Sequence, residues 1–134
     1  MIKQVPHHIR DLVNLRYLWI QGNKLKELST QICRLRNLKV CTLCYFWLYT
    51  YTFKYLHAEN NNIEEISLAI GVLTNLKGLW LSRNQLQWLP NEVLKCRDLE
   101  NLDIDHNFID ELPTGIENMP KLRWFEYNDC VLTS

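Results

Sequence analysis

Apolar residues recur along the chain at a fixed spacing. If Leu15, Phe53, Leu76, Leu99 and Leu122 open successive units, the last three steps between openers are each 23 residues long. Within a unit, apolar residues stand at offsets +3, +5, +10, +13, +17 and +20 from the opener, and asparagine stands at +8. This period is typical of a solenoid, because a single unit cannot bury its apolar edge alone and must stack on its neighbours.

Each unit divides into a strand and a return segment. The first half alternates apolar and polar residues with a period of two, which predicts a short strand with one buried face. The residues at +13, +17 and +20 stand three or four positions apart, which predicts a helical turn or a tight coil. Pro90 and Pro113 follow two of the +13 residues, where their fixed φ suits the turn into the return segment.

The asparagines at +8 stand where the chain leaves each strand. Asn23, Asn61, Asn84 and Asn107 occupy this position. A side-chain amide both donates and accepts, so it can pair backbone groups that the turn would otherwise leave buried and unsatisfied. We predict a structural ladder of asparagines and not a ligand site.

The clearest repeats are LKGLWLSRN, from Leu76 to Asn84, and LENLDIDHN, from Leu99 to Asn107. The full pattern LxxLxLxxNxLxxLPxxIxxLxxLxx resembles the leucine-rich repeat family in its 23-residue intracellular class, and is similar to the repeats of Ras-pathway and Scribble-type scaffolds. The resemblance implies an α/β solenoid with a curved parallel β-sheet on the concave side and short helical or coil returns on the convex side. It also implies a module that binds another protein, without naming the partner.

The repeats organise the chain as a single domain, residues 1–134. Residues 1–14 fit the second half of a repeat, 15–37, 53–75, 76–98 and 99–121 are complete repeats, and 122–134 begin another. Since the chain starts and stops inside a repeat, we expect an excerpt of a longer array or a shortened splice isoform.

Residues 38–52 form a hydrophobic insert that breaks the period. Deleting residues 39–53 would join Leu38 to Lys54 and restore an uninterrupted repeat. The segment from Val40 to Phe53 has no charge and is too short for a transmembrane helix, which needs about 20 apolar residues. We favour an insert that extends or bulges the sheet over a loop that exposes an aggregation-prone strand. Its Cys41-x-x-Cys44 motif lacks the second ligand pair of a zinc site.

Composition narrows the possible partners and location. Lys plus Arg and Asp plus Glu each number 15, so no net charge favours nucleic acid or an anionic membrane. Five irregularly spaced cysteines argue against a disulfide framework, and the N-terminus lacks an apolar run of signal-peptide length. We therefore expect a cytoplasmic, monomeric protein with no membrane span, and self-association through its ends or the insert as the alternative.

Residues at offsets +1, +2, +4, +6 and +7 are predicted to face the concave side of the sheet. Exposed aromatic residues there are typical of protein interfaces, although they could simply stack on each other across strands. Charge also changes from basic to acidic along the stack, which predicts a dipolar surface able to orient a partner. The predicted partner-binding residues are Tyr17, Trp19, Tyr55, His57, Trp80, Arg83, Asp103, Asp105, Trp124 and Glu126.

The alternative function is an enzyme or metal site built on Asp103, Asp105 and His106. No activated nucleophile, glycine-rich phosphate loop or HExxH spacing accompanies these residues. A flat solenoid face also lacks the deep pocket that catalysis usually needs. We therefore predict a non-enzymatic protein without a cofactor or bound metal.

Overall fold

The computed structural model describes residues 1–12, 14–35 and 54–130. Five of its strands form one parallel sheet in the order β1-β3-β5-β6-β7, and the two shortest, β2 and β4, pair separately in parallel. This arrangement confirms the α/β solenoid. The strands are β1 (Tyr17–Trp19), β2 (Glu27–Leu28), β3 (Tyr55–His57), β4 (Glu65–Ile66), β5 (Gly78–Trp80), β6 (Asn101–Asp103) and β7 (Trp124–Glu126).

The return segments are short helices, as the three- and four-residue spacing predicts. One is an α-helix, α1, and the others are 3-10 helices, in which each N–H bonds to the carbonyl three residues back. Four of the five begin after a serine or a proline, namely Pro6, Ser29, Ser67 and Pro90. Ser67 Oγ also accepts from the Ala69 N–H at 3.2 Å. None of the helices in the described part of the chain has the length and apolar character needed to cross a bilayer. The returns are His7–Asp11, α1 (Thr30–Cys33), Leu68–Val72, Asn91–Lys95 and Ile116–Asn118.

The core lies between the sheet and the returns. In the complete repeats, the described residues at the predicted apolar offsets are buried, except Leu15, Leu18 and Leu112, which are half-buried. Leu15 and Leu18 belong to the repeat of β1, the edge strand of the sheet, so fewer neighbours cover them. The spacing therefore identified the core almost completely.

The asparagine ladder is confirmed. Asn84 Nδ2 donates to the carbonyls of Leu81 at 2.8 Å and Ala58 at 3.0 Å, and its Oδ1 accepts from the Ile63 N–H at 3.0 Å. Asn61 and Asn107 repeat this pattern in the adjacent turns. Each amide thus joins the backbones of neighbouring repeats.

The residue before each ladder position has a left-handed backbone conformation, which the sequence analysis did not predict. A positive φ costs a residue with a Cβ atom roughly 1–2 kcal/mol, whereas glycine adopts it freely. The repeats therefore tolerate a local strain at +7 in order to turn the chain into the asparagine. The φ values are 67° for Gly22, 53° for Asn60, 56° for Arg83, 51° for His106 and 54° for Asp129.

The repeats on either side of the insert pair directly. The Arg16 carbonyl accepts from the N–H groups of Lys54 at 3.0 Å and Tyr55 at 3.1 Å, and the Lys54 carbonyl makes the same two contacts with the next repeat. No strand therefore lies between β1 and β3. Leu73 and Lys77 stand four positions apart, whereas the equivalent Leu35 and Lys54 stand 19 apart, so the extra residues number 15. The predicted conformation of residues 39–53 itself lies outside the described residues.

Candidate protein-binding face

The five-stranded sheet turns one face away from the core, and this open sheet face carries most of the predicted binding residues. Strand register places the +4 residues side by side in one row across the five strands. Because the strands are parallel and in register, each repeat adds one position to this row at a spacing of about 4.8 Å. The row reads Trp19, His57, Trp80, Asp103 and Glu126.

Five rings on β1, β3 and β5 form a continuous aromatic cluster, which consists of Tyr17, Trp19, Tyr55, His57 and Trp80. His57 stacks on Trp80 with ring centroids 4.1 Å apart, and Tyr17 stacks on Tyr55 at 4.9 Å. Trp19 meets His57 edge-on at 5.7 Å, and Tyr55 lies 6.4 Å from Trp80. The two rings on the edge strand remain largely in solvent, with Tyr17 57% and Trp19 68% exposed.

Gly78 gives the Trp80 indole its position. A Cβ atom at residue 78 would lie 2.2 Å from two indole carbons of Trp80 and 3.1 Å from the Tyr55 ring. The indole therefore lies down over the glycine, where it can stack on His57. The His57 ring is oriented in turn by Glu59, whose Oε1 lies 3.1 Å from Nδ1. Neither residue was among the predicted site residues, although a glycine two positions before an aromatic residue on a strand was a usable signal.

The acidic half of the face occupies β6 and β7. Asp103 departs from the predicted exposure, since it is only 8% exposed and its Oδ1 accepts from the Asp105 N–H at 3.0 Å. Its position between β5 and β7 explains this burial, because Trp80 and Glu126 stand beside it in the row. Asp105 and Glu126 are half-buried.

His106 bridges two carboxylates at the turns that follow β6 and β7. Its Nδ1 lies 2.6 Å from Asp105 Oδ2 and its Nε2 lies 3.2 Å from Asp129 Oδ2. These three side chains could present ligand atoms to a metal, since the atoms lie within 4.8 Å of one another. Both ring nitrogens of His106 already contact a carboxylate, however, so a metal ion would have to replace one of these two contacts. The alternative of a catalytic or metal cluster with Asp103 is not supported, because the Asp103 carboxylate contacts the backbone of its own turn instead.

Charge on the open face separates across the strands as well as along the stack. Lys77 Nζ lies 2.6 Å from Glu100 Oε1, and this hydrogen bond raises the pKa of Lys77 and lowers the pKa of Glu100. Arg16, Lys54 and Arg123 share the +1 position of Lys77, so the edge where the strands begin is mainly basic. The acidic residues lie on β6 and β7, towards the opposite edge, where the strands end.

Besides the three acidic residues, two predicted residues lie outside the aromatic cluster, Arg83 and Trp124. Arg83 is exposed at the left-handed turn position after β5. Trp124 lies on β7, two strands from Trp80 in the sheet order, and is 37% exposed. The structure therefore unites five of the ten predicted residues by ring contacts and leaves the acidic residues and Trp124 as a second group.

Stacked repeats of a strand, an asparagine turn and a helical return make this chain a solenoid protein. A sequence model described as leucine-rich repeat matches residues 14–40 and 98–119. The chain therefore matches the leucine-rich repeat family over these residues and shares the leucine-rich repeat fold.

Its relatives are much longer proteins with diverse activities. The chain is 31% identical over 98 residues to the volume-regulated anion channel subunit LRRC8A of Homo sapiens, a match that covers 73% of the chain and 10% of that protein. It is 31% identical over 119 residues to an adenylate cyclase of Schizosaccharomyces pombe, covering 88% of the chain and 6% of that protein. The chain thus spans a tenth or less of these relatives.

Solved structures show the same architecture. A leucine-rich repeat protein of Leptospira interrogans has a TM-score of 0.84 and 25% identity, and the match covers 99% of this chain and 30% of that one. An internalin of Listeria monocytogenes has a TM-score of 0.76 at 19% identity, covering 100% of this chain and 34% of the other. The second likeness shows the fold alone.

Proposed function

We propose that the chain is a protein-interaction module that holds a partner protein against its open sheet face. Leucine-rich repeat proteins are in general interaction modules. The single observation that carries the proposal here is the aromatic cluster, whose outer rings remain exposed on a face that the core does not use. Trp and Tyr are the residues that most often dominate the binding energy of protein interfaces.

Cross-strand stacking explains only part of this cluster. Tyr55, His57 and Trp80 satisfy one another by ring contacts and are half-buried. Tyr17 and Trp19 each contact one inner ring, yet more than half of each side chain stays in water. Burying such a ring in an interface removes additional apolar area from water, which is worth about 25 cal/mol per Å². A partner that covers both outer rings accounts for the arrangement.

The size of the face limits the interface. Five strands at about 4.8 Å spacing span roughly 20–25 Å, whereas a stable interface buries about 800 Å² on each partner. The contact therefore extends onto the turns that flank the strands, where Arg83 and the His106 bridge lie. This supports an extended partner segment over a globular partner that touches the strands alone.

We also propose that the module is non-enzymatic and acts as a monomer in a reducing, cytoplasmic compartment. Cys33 and Cys96 are free thiols in the core, and burial raises the pKa of each to about 12. Thiols with so high a pKa are poor nucleophiles.

Affinity capture with matched tryptophan variants tests the proposed face. The triple variant W19A/W80A/W124A should lose partners captured from cell lysate, whereas Trp88→Ala should keep them. Trp88 is a suitable control because it is 43% exposed and lies outside the five strands of the sheet. Circular dichroism should show that both variants remain folded. If the folded triple variant captures the same proteins as the unchanged chain, the open sheet face is not the binding surface.

A further inference from the structure

Two carboxylates stand directly opposite each other on the open sheet face. Asp103 on β6 and Glu126 on β7 are register partners. Like charges in this relation destabilise a sheet. Within the described residues neither carboxylate forms an ion pair, and the only side-chain hydrogen bond of Asp103 is with the N–H of Asp105. Asp103 is nevertheless only 8% exposed, so its carboxyl group has little contact with water.

Two tryptophans share the open sheet face with this pair. Trp80 precedes Asp103 in the row, on β5. Trp124 stands two positions before Glu126 on β7, and alternate residues of a strand point to the same face. These four residues, Trp80, Asp103, Trp124 and Glu126, are called the acidic pocket below. It combines negative charge with aromatic surfaces, a combination that the aromatic cluster itself lacks.

We infer that the acidic pocket receives an arginine side chain from the partner that the proposed function places on this face. A guanidinium group is planar, donates in pairs to carboxylates and stacks on aromatic rings, so it matches both components of the pocket. A lysine ammonium supplies charge but neither the paired donors nor the stacking plane. The arginine also neutralises the two opposed carboxylates. Because they have no ion-pair partner within the described residues, its binding gains more free energy than binding to carboxylates that are already paired.

The geometry also specifies the rest of the partner segment. From β3, at the centre of the aromatic cluster, to the gap between β6 and β7 is about 12 Å at roughly 4.8 Å per strand. An extended chain covers that distance in about three or four residues at roughly 3.3 Å each. The occupant is therefore an extended segment with an apolar or aromatic residue against the rings and an arginine three or four positions away.

Nuclear magnetic resonance titration with three synthetic peptides tests this inference. Each is a capped hexapeptide with a leucine-tyrosine pair, a three-residue glycine-serine spacer, and then arginine, citrulline or lysine. Citrulline has nearly the shape of arginine without its charge. The arginine peptide should shift the amide signals of β6 and β7 and bind at least tenfold more tightly than the citrulline peptide, and more tightly than the lysine peptide. Equal binding of arginine and citrulline, equal binding of arginine and lysine, or no shift with arginine would each overturn the inference.

The double variant D103N/E126Q provides the matched protein test. Asparagine keeps an oxygen that can accept from the Asp105 N–H, so the turn is preserved. The variant should lose the tenfold preference for arginine over citrulline and yet melt at a higher temperature, because the opposed charges are gone. Glu111→Gln, an exposed acid outside the sheet, should change neither property. A retained preference in the double variant contradicts the pocket.

These results separate the two proposals. Loss of captured partners in the tryptophan variant, together with equal binding of all three peptides, would leave the open face as a protein-binding surface but remove the arginine. An unaffected capture in the tryptophan variant would instead remove the face itself.

Discussion

The asparagine ladder predicts a specific cost for losing one of its members. In Asn84→Ala four contacts disappear: three donated by Nδ2 to the carbonyls of Leu81, Ala58 and Ser82, and one accepted by Oδ1 from the Ile63 N–H. Asn84 is buried, so water cannot replace these contacts without entering the core.

The magnitude depends on which backbone groups keep another partner. The Leu81 carbonyl also accepts from Asn107 Nδ2 at 3.0 Å, and the Ala58 carbonyl also accepts from Asn61 Nδ2 at 3.1 Å. The Ser82 carbonyl keeps the Asn60 N–H at 3.0 Å. Only the Ile63 N–H loses its acceptor outright. One buried donor left unsatisfied costs about 1–3 kcal/mol, so we expect Asn84→Ala to lower the free energy of unfolding by about 2 kcal/mol.

Urea unfolding followed by circular dichroism measures this cost. With a slope of about 2 kcal/mol per molar urea, the midpoint should fall by roughly 1 M. Asn23→Ala is the matched control, because the Ile2 N–H that donates to Asn23 Oδ1 is exposed and can form a hydrogen bond with water instead. Its cost should stay below about 1 kcal/mol. Equal costs for the two variants would refute the reasoning that burial of the orphaned donor sets the penalty.

In Gly78→Ala the loss of ring contact, about 0.5–1.5 kcal/mol, is largely offset by the better strand propensity of alanine, about 0.5–1 kcal/mol. Stability should therefore change little while the Trp80 indole N–H signal moves, and an unmoved signal would contradict the packing of the indole over the glycine. Arg83→Gly should raise the free energy of unfolding by roughly 0.5–1 kcal/mol, because φ is 56° at this position, and a loss of stability in urea unfolding would speak against strain there. Because its hydrogen bond with Lys77 lowers the pKa of Glu100, that bond stabilises the fold above the ordinary carboxyl pKa, and the gain is lost as pH falls through the lowered value. A carboxyl-carbon titration should show a higher pKa for Glu100 in Lys77→Gln than in the unchanged chain, and equal values would argue against the pair.

The fold could be predicted because the same pattern of apolar residues and asparagine recurs in each repeat. A buried position such as Leu79 is confirmed by its counterparts Leu56 and Leu102, and the asparagine ladder follows from the same alignment. The left-handed residue at +7 was within reach as well. Gly22 and Asn60 stand there, and both residue types favour a positive φ.

The details of the candidate site could be predicted less well, because they depend on side-chain packing between strands. Spacing placed Trp80 and His57 on one face, but their flat stacking requires the missing Cβ atom of Gly78. The burial of Asp103 and the bridging of two carboxylates by His106 likewise arise from contacts between neighbouring turns. No periodic pattern encodes which conformer a side chain adopts among such neighbours.

The direct pairing of β1 with β3 has a consequence for how such a protein can change over time. The connection between these two repeats is 15 residues longer than the others, yet the backbone hydrogen bonds between β1 and β3 have nearly the same lengths as those between β3 and β5. Lengthening a connection between two fixed points adds an entropic penalty that grows only with the logarithm of its length. The equivalent connections near Thr74, Arg97 and Pro120 should therefore accept an inserted segment at a similar entropic penalty. A solenoid of this kind can acquire a novel segment while its flanking strands stay paired, which makes these connections suitable places for grafting.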